Sequence, residues 1–190
     1  EETEDSLAMI KASCAKARGI VNDLLETAKN EGDTVFETQL VSLNEVLKSN
    51  INVWKTTGNT GSQIVLTIPG PTVYTWLNTD KFNRVLDNLI SNALKFSKEN
   101  NKLDIIMTVE GKYALVRVRD YGVGIPQEML PYIFERFTKA GRSGLKGEKS
   151  TGLGLSIARQ IIEKHGGTLN VESEEGRGST FIIALPIADS

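Results

Sequence analysis

One cysteine and one histidine in 190 residues leave the chain without the raw material for several kinds of chemistry. Cys14 alone can build neither an internal disulfide framework nor a thiolate metal cluster, as expected of a reducing compartment. His165 alone rules out a His-rich metal centre and leaves any His-based triad hanging on one residue. Charge of one sign is not in excess: Lys and Arg number 22 against 24 Asp and Glu, for a net charge of −2. The chain therefore has no global positive field with which to hold nucleic acid. No run approaches the ~18–20 apolar residues of a membrane span, and no signal-peptide pattern opens the sequence. What remains is 39% hydrophobic and 24% charged residues, enough for a core and too apolar for wholesale disorder. The length fits one domain plus a modest appendage. The chain reads as a soluble cytoplasmic piece with no nucleic-acid or membrane contact, and the missing initiator methionine suggests that it was cut from something longer.

The first thirty residues carry one helical pattern. Leu7, Ile10, Cys14, Ala17, Val21, Leu24 and Ala28 recur at alternating spacings of 3 and 4, a narrow stripe of the kind that seams a bundle. Such a stripe wants a partner, and Gly32 suits a helix stop. From Thr34 the character changes, and one α/β domain is expected over 34–190. Its expected elements begin with a strand over Val35–Val41 and a helix over Ser42–Trp54, with Leu43, Val46, Leu47, Ile51 and Trp54 inward. A turn at Thr57–Gly61 and strands at Gln63–Ile68 and Tyr74–Leu77 follow. A long helix, capped by Thr79 or Asp80, runs through Phe96 and buries Phe82, Val85, Leu86, Leu89, Ile90 and Ala93. Leu103–Val109 and Ala114–Arg119 read as strands joined at Glu110–Gly111. Residues 138–151, with three glycines and four Lys or Arg, read as a mobile loop. Leu153–His165 is expected to be helical and to stop at Gly166-Gly167. Thr168–Glu172 and Thr180–Leu185 then pair around Glu175–Gly178. The expected fold class is α+β, a two-layer sandwich with helices on one side of a mixed sheet.

Three features point to chemistry. On the long helix, Asn88, Asn92 and Lys95 stand four and three apart and share a face that borders the apolar one. An amide oxygen suits magnesium, which takes its other ligands from water and substrate phosphates, and a lysine one turn away supplies charge for those phosphates. The plain alternative is a solvated helix face. Asp120-Tyr121-Gly122-Val123-Gly124-Ile125-Pro126 directly follows a strand. Its glycines let backbone approach a ligand closely, and its carboxylate can accept a hydrogen bond from an exocyclic amine. The alternative there is an ordinary glycine-rich turn with an Asx bond. It is not a dinucleotide fingerprint, because the third glycine is missing and no helix is expected to open after it. Thr151-Gly152-Leu153-Gly154-Leu155 starts a helix straight after the basic loop, where unobstructed backbone N–H groups form a phosphate site. No Lys-Ser or Lys-Thr pair follows these glycines, so this is no Walker A loop, and the alternative is a flexible hinge.

Taken in order, Asn88-Leu-Ile-Ser-Asn92-Ala-Leu-Lys95-Phe96-Ser97, Asp120-Tyr-Gly122-Val-Gly124-Ile125, Phe134-Glu-Arg-Phe137 and Gly152-Leu-Gly154-Leu resemble the N box, first glycine box, F box and second glycine box of sensor histidine kinases. The tail Gly176-Arg-Gly178-Ser179-Thr180-Phe181 resembles that family's closing strand. Ile20-Val21-Asn22-Asp23-Leu24-Leu25 resembles the second helix of its dimerisation and phosphoacceptor hairpin. The resemblance implies a Bergerat-type ATP-binding fold over 34–190 with a lid at 138–151, preceded at 1–31 by a long helix left from the hairpin. It implies that Asp120 bonds the adenine amino group and selects ATP over GTP, with Thr180 near the same ring and Phe96 beside the nucleotide. It implies Mg²⁺ on Asn92, phosphate contacts from Asn88 and Lys95, and backbone N–H groups of Gly152, Leu153, Gly154 and Leu155 on the phosphates. Gly122, Gly124 and Ile125 would line the nucleotide. Phe134 and Phe137 would anchor the lid, which offers Lys139, Arg142, Lys146 and Lys149 to the γ-phosphate. A cytoplasmic domain is implied, in a parent protein that can carry a membrane anchor.

One departure from the family decides what the chain can do alone. The acceptor histidine of the first hairpin helix is absent, and His165 in Glu163-Lys-His-Gly-Gly167 reads as a helix-terminal residue interacting with the helix dipole. The chain is therefore expected to bind ATP, to donate its γ-phosphate to a histidine elsewhere for relay to a response-regulator aspartate, and not to phosphorylate itself. Related chaperone, gyrase and mismatch-repair ATPases carry a glutamate where Asn88 stands. An amide is no general base, so hydrolysis is expected to be slow, and Asp87, one residue along, is turned about 100° away. The rival readings are a degenerate scaffold that binds ATP weakly and a true ATPase. With one helix of the hairpin present, a monomer or weak association is expected, with Cys14 prone to cross-linking.

Overall fold

The computed structural model describes residues 36–57, 63–68, 70–97, 102–136 and 152–188. The helix expected over 1–31, most of the turn at 57–61, and the lid at 138–151 with Lys139, Arg142, Lys146 and Lys149 lie outside them, as does Phe137. The described elements are β1 (Gln39–Ser42), α1 (Leu43–Thr57), β2 (Gln63–Thr67), β3 (Tyr74–Leu77), α2 (Thr79–Phe96), β4 (Lys102–Glu110), β5 (Tyr113–Asp120), a 3₁₀ turn (Gln127–Tyr132), α3 (Gly154–Lys164), β6 (Thr168–Glu174) and β7 (Gly178–Pro186).

Alternation writes the sheet. In β4, Leu103, Ile105 and Met107 are buried, and in β5 Ala114, Val116 and Val118 are, while Arg117 and Arg119 point the other way. One face is thus covered and the other meets solvent, as period-two patterning dictates. The five strands lie in the order β2-β4-β5-β7-β6, with β2 parallel to β4 and every other pair antiparallel. β1 and β3 form a separate antiparallel pair. The helical layer supplies the other half of the core: Leu43, Leu47 and Ile51 from α1, the six expected residues of α2, and Ile157, Ala158, Ile161 and Ile162 from α3. This is the two-layer mixed sandwich that the patterning implied.

Several details differ from expectation, each for a local reason. The cap of α2 is Asn78, whose side-chain oxygen accepts from the Lys81 N–H at 3.1 Å, so Thr79 and Asp80 are already helical. All three residues suit the cap by type, and the one with extended backbone and a reachable N–H three residues on takes it. Ser42 plays the same part for α1, accepting from Glu45 N–H at 3.3 Å, rather than opening the helix. A six-residue 3₁₀ turn does open after Pro126, whose carbonyl accepts from Met129 N–H, although no helix was expected there. Proline's fixed φ starts a turn too short to show any period.

His165 departs most. It is structural, as expected, but not through a charge on the helix dipole. It is 8% exposed; Nε2 accepts from the Asn78 backbone N–H at 2.9 Å, and Nδ1 lies 2.8 Å from the Ile161 carbonyl. One ring nitrogen must accept and the other donate, which describes the neutral imidazole. Burial pushes its pKa below the ordinary value, outweighing the Ile161 carbonyl, which favours the charged form. The ring also meets Phe36 edge-on, with centroids 4.7 Å apart. It thereby ties the end of α3 to the start of α2.

Candidate functional site

The site is built on α2. Its apolar stripe fixes the helix on the sheet, and the adjoining stripe of Asn88, Asn92 and Lys95 follows from the same 3.6 period. Asn92 Nδ2 donates to Asn88 Oδ1 at 3.4 Å, leaving the Asn92 amide oxygen available to a hard cation. Asn88 is in turn covered by the first residue of α3. A Cβ added at Gly154 would sit 2.5 Å from Asn88 Oδ1, so only glycine fits against that amide without moving it. The N-terminal end of α3, where helix N–H groups favour anions, therefore opens beside the amide stripe. Asp87 is turned away, as the 100° step requires: it accepts from Trp54 Nε1 at 2.8 Å and Asn50 Nδ2 at 3.1 Å, both on α1.

The far end of α2 meets the glycine loop. Val123 N–H donates to the Phe96 carbonyl at 3.1 Å, and a Cβ on Gly122 would lie 2.2 Å from that same oxygen. Behind the loop stands the β6–β7 hairpin. Gly176 N–H donates to the Val123 carbonyl at 2.8 Å, and a Cβ on Gly124 would lie 2.1 Å from the Glu174 carbonyl. Both glycines are thus required by close backbone approach.

Asp120 closes β5 and turns inward with Val118 and Val116. It is 4% exposed, and Oδ1 accepts from Gly122 N–H at 2.9 Å and Ser179 N–H at 3.2 Å. Burial raises its pKa above the ordinary carboxylate value, against the opposing pull of those N–H groups. Among the described residues no Lys or Arg pairs with it. A buried carboxylate compensated by backbone N–H groups alone, beside backbone held open by glycine, can accept from a further donor.

Most of the sequence-flagged residues therefore converge: Asn88, Asn92 and Lys95 on one face of α2, Phe96 at its end, Asp120, Gly122, Gly124 and Ile125 in the loop that leans on Phe96, and Gly154 on Asn88. Gly152 and Leu155 flank the start of α3 and are half-buried, while the Leu153 side chain is a core residue and offers only backbone. Phe134 packs against the core with the Arg159 guanidinium 5.1 Å from its ring centroid. Thr180 is not brought in. It pairs with Arg119, so strand alternation sets it on the sheet face opposite Asp120. The neighbouring Ser179 is the residue on the Asp120 side, buried, with its N–H on the carboxylate. Phe137 and Lys139 lie outside the described residues. Residue type does not single out Ser179; the ladder register is what sets it beside the carboxylate.

The model of the histidine kinase-, DNA gyrase B- and HSP90-like ATPase family matches residues 78–189. The sensor protein SrrB of Staphylococcus aureus is 32% identical over 188 residues, which is 98% of this chain and 32% of SrrB. The chain thus spans about a third of the length of the curated relatives it matches. Among solved structures, the catalytic domain of histidine kinase ThkA is 29% identical with a TM-score of 0.68, over 79% of this chain and 95% of that one. The structure of ThkA in complex with the response regulator TrrA is 26% identical with a TM-score of 0.76, over 95% of this chain and 50% of that one.

Proposed function

The chain belongs to the family of histidine kinase-, DNA gyrase B- and HSP90-like ATPases, on its sensor histidine kinase side, and from that premise we propose that residues 34–190 bind Mg-ATP and donate its γ-phosphate to a histidine supplied from outside these 190 residues. Residues 1–31 would be the second helix of the dimerisation and phosphoacceptor hairpin, and 138–151 the lid. The observation that carries this reading is the Asp120 carboxylate, buried without a cation and bordered by two glycines that hold backbone close. An adenine amino group is the donor that such an acceptor fits, and guanine presents a carbonyl at that position instead. Ser179 would take the place at the ring that sequence reading gave to Thr180, because it stands on the Asp120 side.

At the other end, the Asn92 amide oxygen, with Asn88 beside it, would hold Mg²⁺ against the phosphates. The ion would neutralise charge on the phosphoryl group in flight. Lys95 and the α3 amides would add positive potential there, since phosphoryl transfer asks mainly for positioning and charge neutralisation. Water activation is disfavoured: Asn88 is an amide, and Asp87, its neighbour in sequence, faces α1. His165 is no acceptor, being buried with both ring nitrogens engaged. The phosphate would pass to the parent kinase's hairpin histidine and then to the aspartate of a response-regulator receiver domain. Among the described residues no helix is long and apolar enough to cross a membrane.

Calorimetric titration with Mg-bound, non-hydrolysable ATP tests the reading, with GTP as control. Heat with ATP and none with GTP is expected. No heat with either would mean that the motifs survive as architecture only.

A further inference from the structure

We propose that Ser173, on β6, is a positioning residue that sets the adenine end of the site by holding the glycine loop through one hydroxyl; this rests on the adenine reading of Asp120. Ser173 Oγ accepts from the Ile125 N–H at 2.8 Å. The same oxygen lies 2.9 Å from the Gly178 carbonyl and 2.9 Å from Ser179 Oγ, and so donates its proton to one of them. Ser179 N–H, in turn, is bonded to Asp120 Oδ1. A single side chain therefore links the far end of the loop, Ile125, to the residue that steadies the carboxylate at its near end.

The rest of the loop's support has a different character. Val123 is held by backbone on both sides, to Phe96 and to Gly176, and Gly124 rests on the Glu174 carbonyl. Those contacts survive any side-chain change on β6. Ile125 is different, because its N–H depends on a hydroxyl 48 residues away in sequence, and Pro126 beside it has no N–H to contribute. Gln127 Nε2 donates to the Ser173 carbonyl at 3.1 Å, fastening the start of the 3₁₀ turn to the same residue. Without the hydroxyl, Ile125 N–H loses its acceptor, and the loop can lift away from the ring that Asp120 would hold.

The amides proposed to serve phosphate transfer, Asn92 and Asn88, stand about one and two turns back along α2 from the Phe96–Val123 contact, and Ser173 touches neither, so loss of Ser173 should act on nucleotide affinity and not on the transfer step. With the phosphoacceptor hairpin supplied in trans, Ser173→Ala is expected to raise KM for ATP about tenfold and to leave kcat within about twofold, the size expected for one lost hydrogen bond and its stranded partner. Ser173→Thr, which keeps the hydroxyl, should restore KM. Equal loss in KM and kcat, failure of Ser173→Thr to rescue, or an unchanged KM would each overturn the proposal. If Ser173→Ala does not fold, hydrogen exchange on the unaltered chain decides. The Ile125 amide is expected to be protected before nucleotide is added, and exchange at an unprotected rate would sink the idea. Absence of ATP binding by the unaltered chain would instead overturn the adenine reading, so the two failures are distinguishable.

Discussion

Desolvating a carboxylate beside no cation is a stability cost that a merely structural residue has no reason to carry. Asp120 carries it: burial raises its pKa, and its compensation is two backbone N–H groups. An asparagine there keeps an oxygen for both N–H groups and removes the charge. Asp120→Asn is therefore expected to unfold at the same temperature as the parent chain or slightly above it at neutral pH. ATP affinity should meanwhile fall roughly 10- to 100-fold, the range of a charge-assisted hydrogen bond. Differential scanning calorimetry and titration of the same sample check both halves, and a large drop in melting temperature would make Asp120 a folding residue instead. Gly154 makes the complementary case at the end proposed for the phosphates. Its helical backbone accepts alanine, but the added Cβ would displace the Asn88 amide, the movable end of a side chain. Gly154→Ala should change stability by no more than about 1 kcal/mol and cut phosphoryl transfer to a supplied hairpin by at least roughly tenfold, the scale for a displaced positioning group. Undiminished transfer would show that Asn88 has no role at the phosphates.

At the scale of elements, the helix ends separate what residue type specifies from what geometry decides. Asn78→Ala removes the acceptor for Lys81 N–H at the start of α2 and should cost about 1 kcal/mol, read from urea midpoints with unchanged slope. The same change at Thr79 should cost little, because its side chain caps nothing. Much of the fold was legible beforehand because periodicity survives averaging over many residues. Six apolar positions in α2 and alternate positions in β4 and β5 each vote for one face, and all of them are buried. Single-residue features have no such redundancy. Asn78, Thr79 and Asp80 are equally good caps on paper, and only the backbone angle at Asn78 separates them. Thr180 and Ser179 are equally good hydroxyls, and the phase of β7 against Arg119 decides which one faces Asp120. The residues grouped around α2 were legible as separate motifs. Their convergence was not, since it depends on contacts such as Phe96 to Val123 and Asn88 to Gly154 that no local pattern encodes.

Across the whole molecule, His165 joins element ends that nothing local connects. Its ring closes α3 through Ile161, accepts from the N–H of the α2 cap residue, and packs on Phe36, the first described residue. The Lys164 ammonium, 5.8 Å from the Phe36 ring centroid, adds positive charge on the same side. Burial favours the neutral ring, outweighs the Ile161 carbonyl that favours the charged one, and lowers the pKa below 6.5. The unfolded chain therefore binds the proton first as the solution is acidified. Between the two pKa values it holds more protons than the native state, so stability must fall with pH. The loss begins as pH drops through about 6.5 and ends below the folded-state value. Its slope is at most about 1.4 kcal/mol per pH unit, the limit for one proton. Asp120 has the opposite sign, because its raised pKa means that ionisation costs stability as pH rises through the carboxylate range. The two effects therefore differ in sign, and a variant that removes only the histidine separates them. His165→Gln, whose amide can accept from Asn78 and donate to Ile161 but cannot titrate, is expected to flatten the decline in urea-derived stability between pH 7 and 6. An equally steep decline in that variant would assign the acid sensitivity to other groups and make the His165 tie irrelevant to it.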